Sequence, residues 1–556
     1  MARIRRVQLR HGGHDQRQRR LVHGDVIAGL VPSATRPVIP GGGPQTVAAV
    51  LDPGLATHPG HEALVGRHAR FTFAGLDAEV ERAAAALSGL GVRAGDRVAI
   101  ATGNHPDIVV GFLACMRLGA IWLGVNLALA SPEKAYLLRD AEVGVLIAQP
   151  DVVDALAPHR ADLGDLRHVV VCDPARGDRD EWRALVDAAD PEHRPAIDID
   201  PFAPAAIAYT SGTTGFPKGA VHSQHNLLLP GAVARERARA TEDTRVGVVL
   251  PLTILNLIAL GPLVAFQGAA TCVTIDRIDP VGLAEWIRTE RVTAVSTVPA
   301  ILHGLLTHPD VQEEDLLTLS VPGVGGADCP DAFKDLYRAR FGTEVTVGYG
   351  LTEAPTAVTM NDPSQPPVPG GAGRALPHVQ VVVLDDEDRE VAPGAVGELC
   401  VTARTHGRWA GVYTPMLGYW NRPEATAEAL RAGVLHTGDL GCIDADGEVY
   451  VKDRRHDLII RGGSNVYPAE VERVLHEDPR VAACAVVGRP DERLGERVVA
   501  FVEPIAGTTL TGDDLDPHCR AQLAAYKVPD EWHFVDVMPR NAMNKILKPT
   551  LRARLT

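Results

Sequence analysis

Residues 210–219 read Thr-Ser-Gly-Thr-Thr-Gly-Phe-Pro-Lys-Gly: four hydroxyls, three glycines and one ammonium in ten positions. Glycines let a backbone approach an anion closely, hydroxyls and main-chain N–H groups donate to phosphate oxygens, and a lysine balances the charge. Thr210, Ser211, Gly212, Thr213, Thr214, Gly215 and Lys218 therefore form a phosphate cradle by chemistry. The loop is not of the Walker type, which needs Lys directly after the second Gly and then a hydroxyl; here Pro217 precedes Lys218 and Gly219 follows it. The preceding Ala205–Tyr209 is strand-like, so the loop sits where strands of an α/β sheet end and ligands bind.

The elements that must position this loop alternate in period. Val80, Ala84 and Leu87 share one helical face that stops at Gly91, and Arg97–Ala101 reads as a strand. Residues 107–120 are again helical and 121–125 apolar. Ser131 and Pro132 read as N-cap and first helical position of a helix that leads into a strand at Val143–Ala148. Such alternation predicts parallel sheets covered by helices, an α/β class. After the Pro/Gly-rich loop 361–377, the shorter strands 379–385 and 397–403 predict a β-rich subdomain. From about residue 456 a helix, a strand, a charged turn and a strand predict a small separate α+β domain. The expected division is a flexible leader at 1–38, a large N-terminal domain at 39–455 and a C-terminal domain at 456–556.

Val246–Ile275 carries no charge and is long enough to cross a bilayer. Pro251, Asn256, Pro262 and Gln267 break it into shorter pieces, so a buried strand, helix, strand unit is expected instead. The formal charge of -15 argues against nucleic acid or an anionic membrane as the main partner. Eight cysteines, with no C-x-x-C pair and no His cluster at zinc spacing, indicate neither a disulfide framework nor a metal cage, and fit a reducing cytoplasm. The basic N-terminus lacks the apolar stretch of a secretory signal.

Six segments occur in order: 209–226 (YTSGTTGFPKGAVHSQHN), 347–353 (VGYGLTE), 418–426 (GYWNRPEAT), 435–454 (LHTGDLGCIDADGEVYVKDR), 461–472 (RGGSNVYPAEVE) and 539–548 (PRNAMNKILK). This set resembles the adenylate-forming superfamily, in its acyl-CoA synthetase branch, over nearly the whole chain from about Pro40. The resemblance implies an acid:CoA ligase acting in two half-reactions, with ATP, Mg²⁺ and coenzyme A. A carboxylate attacks the α-phosphorus of ATP and releases pyrophosphate, and the CoA thiol then displaces AMP. It further implies that the loop from Thr210 to Lys218 holds the β- and γ-phosphates, that Thr352 meets the α-phosphate, and that Glu353 binds Mg²⁺, a cation that prefers oxygen ligands. Gly325, Gly326 and Ala327 would edge the adenine and Tyr349, next to Gly350, would stack on it. Asp439 would accept from the ribose hydroxyls with help from Arg454. Lys545 would reach the carboxylate and α-phosphate as charge develops. The small domain would turn about His456 and Asp457, withdrawing Lys545 and bringing Gly462 and Gly463 to a pantetheine tunnel. His222 is read as a structural loop residue outside the site. An acyl carrier protein is the alternative acceptor, a non-catalytic nucleotide-binding sensor the alternative class, and a homodimer is compatible with the sequence.

Three departures stand out. His456 precedes Asp457 at the hinge, and Asn544 precedes Lys545 where relatives carry Gly; Asn tolerates left-handed angles better than most residues. Where many relatives have an aromatic and a His, this chain has Thr253 and Ile254. If Thr253, Ile254, Asn256 and Leu257 line the acyl pocket, its wall is apolar, and no Asp or Arg between Val246 and Ile275 pairs a second charge on the substrate. A hydrophobic monocarboxylic acid is expected, medium-chain, alicyclic or polycyclic.

Overall fold

The computed structural model describes residues 30–555 apart from 32, 34, 176–179, 194–195, 211–216, 238–239, 325–330, 343–344, 355, 363–364, 367, 455–456, 462–463, 492–493, 524 and 542–544. The leader expected at 1–38 thus falls mostly outside the described residues.

Helix–strand alternation in the first third builds a seven-stranded sheet in the order Gly418–Tyr419, Lys218–Ser223, Pro204–Thr210, Ile121–Gly124, Arg97–Ala101, Val145–Ala148 and His168–Val171. The strands from Pro204–Thr210 to His168–Val171 are parallel, and at the other edge Lys218–Ser223 pairs antiparallel with both its neighbours. The helix Phe73–Gly89 begins where the Thr72 hydroxyl accepts the Gly75 N–H at 3.1 Å and ends before Gly91, whose φ of 84° only glycine adopts freely. Ser131 is the first residue of its helix, not its cap; the Glu133 carboxylate accepts the Ala130 N–H at 2.7 Å, so no cap hydroxyl is needed.

A nine-stranded sheet faces the first. It runs Arg374–Ala375, Thr356–Met360, Thr346–Leu351, Val321–Val324, Ala294–Thr297, Arg245–Val248, Thr271–Thr274, Glu62–Val65 and Arg70–Thr72. The uncharged stretch 246–275 supplies two adjacent parallel strands of it, Arg245–Val248 and Thr271–Thr274. Between them stand two short helices, Leu255–Leu260 and Pro262–Gln267, where one was expected, because Gly261 and Pro262 interrupt the run. Among the described residues no helix is long and apolar enough to cross a membrane.

The expected β-rich part is an antiparallel sheet of Val379–Leu384, Gly397–Ala403, Val434–Ile443, Leu430–Arg431 and Val449–Arg454. One apolar core joins it to both large sheets, with Trp122, Ala206, Leu64, Cys272, Val381 and Leu399 all in the same cluster. The C-terminal sheet differs. Ser464–Val466, Ile459–Arg461, Gly495–Pro504, Val481–Asp491 and Glu531–Phe534 pack with helices Pro468–His476 and Lys548–Ala553 around two cores drawn only from residues 459–555.

Candidate active site

The phosphate-type loop joins two antiparallel strands, not a strand and a helix. Thr210 lies opposite Lys218 and Tyr209 opposite Gly219, and the Thr210 hydroxyl donates to the Lys218 carbonyl at 3.4 Å. The next helix, Gln224–Glu236, begins only after the second strand, so Lys218 and not that helix dipole supplies positive charge at the mouth of the hairpin. Ser211, Gly212, Thr213, Thr214 and Gly215 lie outside the described residues. The two ends of the loop are tied down: Asp140 accepts from the Tyr209 hydroxyl at 2.6 Å and from Arg422 at 2.6 Å, while the Tyr136 hydroxyl donates to the Pro217 carbonyl at 3.1 Å. Burial and the Asp140 carboxylate push the Tyr209 phenol far up, so it remains a donor. Tyr136, Arg139, Lys218, Arg422 and Glu424 line an open cavity of about 590 Å³ beside it.

Tyr419 connects the hairpin to the other large sheet. Gly418 and Tyr419 pair with Val221 and Ala220, which sets the Tyr419 ring 5.2 Å from the Lys218 ammonium, a cation–π contact. The Tyr419 hydroxyl donates to Glu353 at 2.8 Å. Thr352 and Glu353 sit in the turn between the antiparallel strands Thr346–Leu351 and Thr356–Met360, not at a helix start. A partly exposed carboxylate with one oxygen held by a hydroxyl suits a hard divalent cation, so Glu353 fits Mg²⁺.

The Tyr349 hydroxyl donates to Asp439 at 2.6 Å, and Asp439 is only 3% exposed. Arg454 is its direct partner on the antiparallel strand. The turn chemistry around Asp439 is fully engaged. Its N–H donates to the Thr437 hydroxyl at 3.0 Å, Thr437 donates to the Leu399 carbonyl at 2.6 Å, and Glu398 accepts the Gly438 N–H at 2.9 Å. Glu398, Cys400 and His436 converge within 4.8 Å of one another, a grouping no sequence spacing signals. The Arg431 guanidinium stands 2.7 Å from His436 Nδ1, where a metal cation would sit, and burial pushes the Cys400 thiol up to about 12. The group is a buttress for the strand that carries Asp439.

Two family models match this chain, one for the AMP-binding enzyme over residues 51–420 and one for the AMP-binding enzyme C-terminal domain over 470–545. The chain belongs to the AMP-binding enzyme family. A feruloyl-CoA synthase of an Amycolatopsis species is 36% identical over 510 residues, 90% of this chain and 99% of its own. The indoleacetate–CoA ligase of Aromatoleum aromaticum is 34% identical over 504 residues, 90% of this chain and 96% of its own. Among solved structures, ATP-bound MatB from Rhodopseudomonas palustris superposes with a TM-score of 0.82 at 30% identity, covering 91% of this chain and 98% of the other. This AMP-binding enzyme is an AMP-forming acid–CoA ligase that uses ATP, Mg²⁺ and CoA.

The remaining expected residues of the enzyme are distributed as follows. Lys545 is exposed, in a loop closed by Asn541, whose side chain accepts the Lys545 N–H at 2.9 Å and whose N–H donates to the Lys545 carbonyl at 2.8 Å. Asp457 accepts from Arg552 of the last helix at 2.5 Å. Gly350 lies exposed in its strand; Gly325, Gly326, Ala327, His456, Gly462 and Gly463 fall outside the described residues. Thr253 is buried, and Ile254, Asn256 and Leu257 are half-buried at the start of the short helix. His222 is not in a loop; it is fully buried in the strand Lys218–Ser223. Residue-by-residue reading missed Asp140, Tyr136, Tyr209, Tyr419 and Arg422. Tyr209, Tyr419 and Arg422 lie within the segments 209–226 and 418–426, whereas Asp140 and Tyr136, on the helix Ser131–Asp140, carry no such signal.

Proposed function

We propose that the enzyme adenylates a hydrophobic monocarboxylic acid, medium-chain, alicyclic or polycyclic, and passes the acyl group to the CoA thiol in the cytoplasm. The observation that supports the site is the continuous path from Lys218 over the Tyr419 ring to Glu353, with Tyr349, on the strand that precedes Glu353, bonded to Asp439 of the strand Val434–Ile443. Four separate motifs meet through it.

In this reading the hairpin from Thr210 to Lys218 grips the β- and γ-phosphates and the Thr352 hydroxyl meets the α-phosphate. Glu353 holds Mg²⁺, which neutralises phosphate charge when bound. Gly325, Gly326 and Ala327 border the adenine, Tyr349 and Gly350 face it, and Asp439 with Arg454 takes the ribose. The incoming carboxylate is repelled by the phosphate it must attack. Lys545 offsets that repulsion with an ammonium brought in by the C-terminal module, residues 456–556, turning about His456 and Asp457. After pyrophosphate leaves, the module turns away, and Gly462 and Gly463 line the path of the CoA thiol. Apolar residues of 253–257 surround the acyl tail, and the feruloyl and indoleacetate ligases among the relatives agree with a bulky ring acid.

Lys545→Gln tests the scheme. Carboxylate-dependent pyrophosphate exchange is expected to fall at least a hundredfold, about 3 kcal/mol of transition-state stabilisation, while thioester formation from supplied acyl-AMP persists. Unchanged exchange in the folded variant would remove Lys545 from the chemistry. A panel of acids read by acyl-CoA mass, with a carrier protein as second acceptor, tests substrate and acceptor; glycine, malonate or acetate outrunning every apolar acid overturns the substrate class.

A further inference from the structure

The layer between the seven-stranded sheet and the short helix Leu255–Leu260 holds polar atoms that the described chain does not satisfy. On the sheet face three residues stand side by side across neighbouring strands: Trp122 is in register with Ala206, and Ala206 with His222. The next row pairs Ala208 with Ala220, so only methyl groups continue this face beyond Ala206. Thr253 passes directly over this face. A Cβ on Gly124 would lie 1.9 Å from the Thr253 carbonyl oxygen and 2.6 Å from the Trp122 ring, so glycine is required there for the segment to come so near. The helix that follows Thr253 touches the strand Pro204–Thr210.

Five buried atoms here have no hydrogen-bond partner: Trp122 Nε1, both ring nitrogens of His222, Thr253 Oγ1 and Asn256 Oδ1. Buried polar groups are nearly always paired, and a cluster of exceptions calls for a ligand or ordered water. All four side chains are uncharged at neutral pH, since burial pulls His222 down to about 4. The His222 ring lies against the main chain of Thr352 without a hydrogen bond of normal geometry, which joins this layer to the turn assigned to the reacting phosphate. The wall expected to be purely apolar is therefore lined with neutral donors and acceptors.

We propose that the acyl tail carries at least one neutral oxygen function, a hydroxyl or ketone on a ring, hydrogen-bonded in this layer by His222 together with Trp122, Thr253 and Asn256. The inference rests on the acid–CoA ligase reading above and narrows its substrate class. A plain hydrocarbon acid leaves all five atoms unpaired. A charged substituent finds no counter-charge among the four residues.

Matched pairs of acids test it, for example 3-cyclohexylpropanoate against its 4-hydroxy and 4-oxo forms and 3-phenylpropanoate against its 4-hydroxy form, read by pyrophosphate release. The wild type is expected to favour the oxygenated member of at least one pair by about tenfold or more in kcat/KM. His222→Leu and, independently, Asn256→Leu are expected to bring the kcat/KM ratio of the two members toward one, whatever they do to the absolute rates, and His222→Gln to retain part of the preference. Equal turnover of both members in every pair overturns the inference and assigns these atoms to water. Variants that lower both members alike overturn it in favour of a structural role. Activity on hydrocarbon members alone overturns this inference and spares the ligase reading; activity on no apolar or oxygenated monocarboxylate overturns both.

Discussion

The two sides of the region where the large sheets meet use polar atoms in opposite ways. Around Glu353, Tyr349 and Asp439, the side chains are already engaged with one another: Tyr419 on Glu353, Tyr349 on Asp439, Thr437 on the Asp439 N–H and Glu398 on the Gly438 N–H. Around Trp122, His222, Thr253 and Asn256 the buried atoms are left open. Preorganised hydrogen bonds suit a cosubstrate whose shape never varies, because no reorganisation is needed when it arrives. Open atoms suit discrimination, because a ligand that fails to meet them leaves a desolvated group behind.

Asp439→Asn attacks the preorganised side most directly. Loss of a buried carboxylate that accepts from Tyr349 is expected to raise KM for ATP about thirty- to hundredfold, ~2–3 kcal/mol, with KM for the acid nearly unchanged; an unaltered ATP KM in steady-state kinetics would break the comparison. The open side is probed by pH. An unfolded His222 takes a proton as the pH falls through about 6.5, while the buried ring resists until about 4. The unfolded chain thus binds more protons in this window, so stability is complete above pH 6.5 and declines below it, by about 2 kcal/mol at pH 5 from this residue. Urea midpoints measured from pH 7 to 5 are expected to show that slope, and His222→Leu to flatten it. His378, buried and beside Arg404, is held at about 3 and adds a slope of the same sign that persists in the variant. Tyr419→Phe is the mildest test. Removing one donor to Glu353 costs about 1 kcal/mol, seen as a roughly fivefold slower adenylation in single-turnover assays with no change in fold by circular dichroism.

Local patterns made much of this legible. Helix–strand alternation announced the parallel sheets, the charge-free segment 246–275 declared its burial, and the ordered motifs gave the family. What escaped depended on pairing between distant residues. Nothing in the stretch 209–226 reveals that its loop is a hairpin, because that depends on Thr210 meeting Lys218 across an antiparallel ladder. Asp140 reads as the last residue of an ordinary helix until Tyr209 and Arg422, 69 and 282 positions away, converge on it. Ser131 reads as a cap, yet that end of the helix is closed by Glu133 accepting the Ala130 N–H. His222 reads as a structural loop residue, yet the register with Ala206 turns it into the core. The layer of open polar atoms is unreadable for the same reason: Trp122, His222 and Thr253 lie 31 to 131 positions apart, and only the fold brings them together.

The Arg552–Asp457 ion pair has a mechanical corollary. It clasps the far end of the chain to the first described residue after the junction, and the Lys545 loop lies inside the ring so closed. Under the hinge proposed above, a turn at Asp457 would carry the segment bearing Lys545 with it, and a tag or truncation that unfastens the final helix would loosen that coupling even though it lies far along the sequence from Asp457.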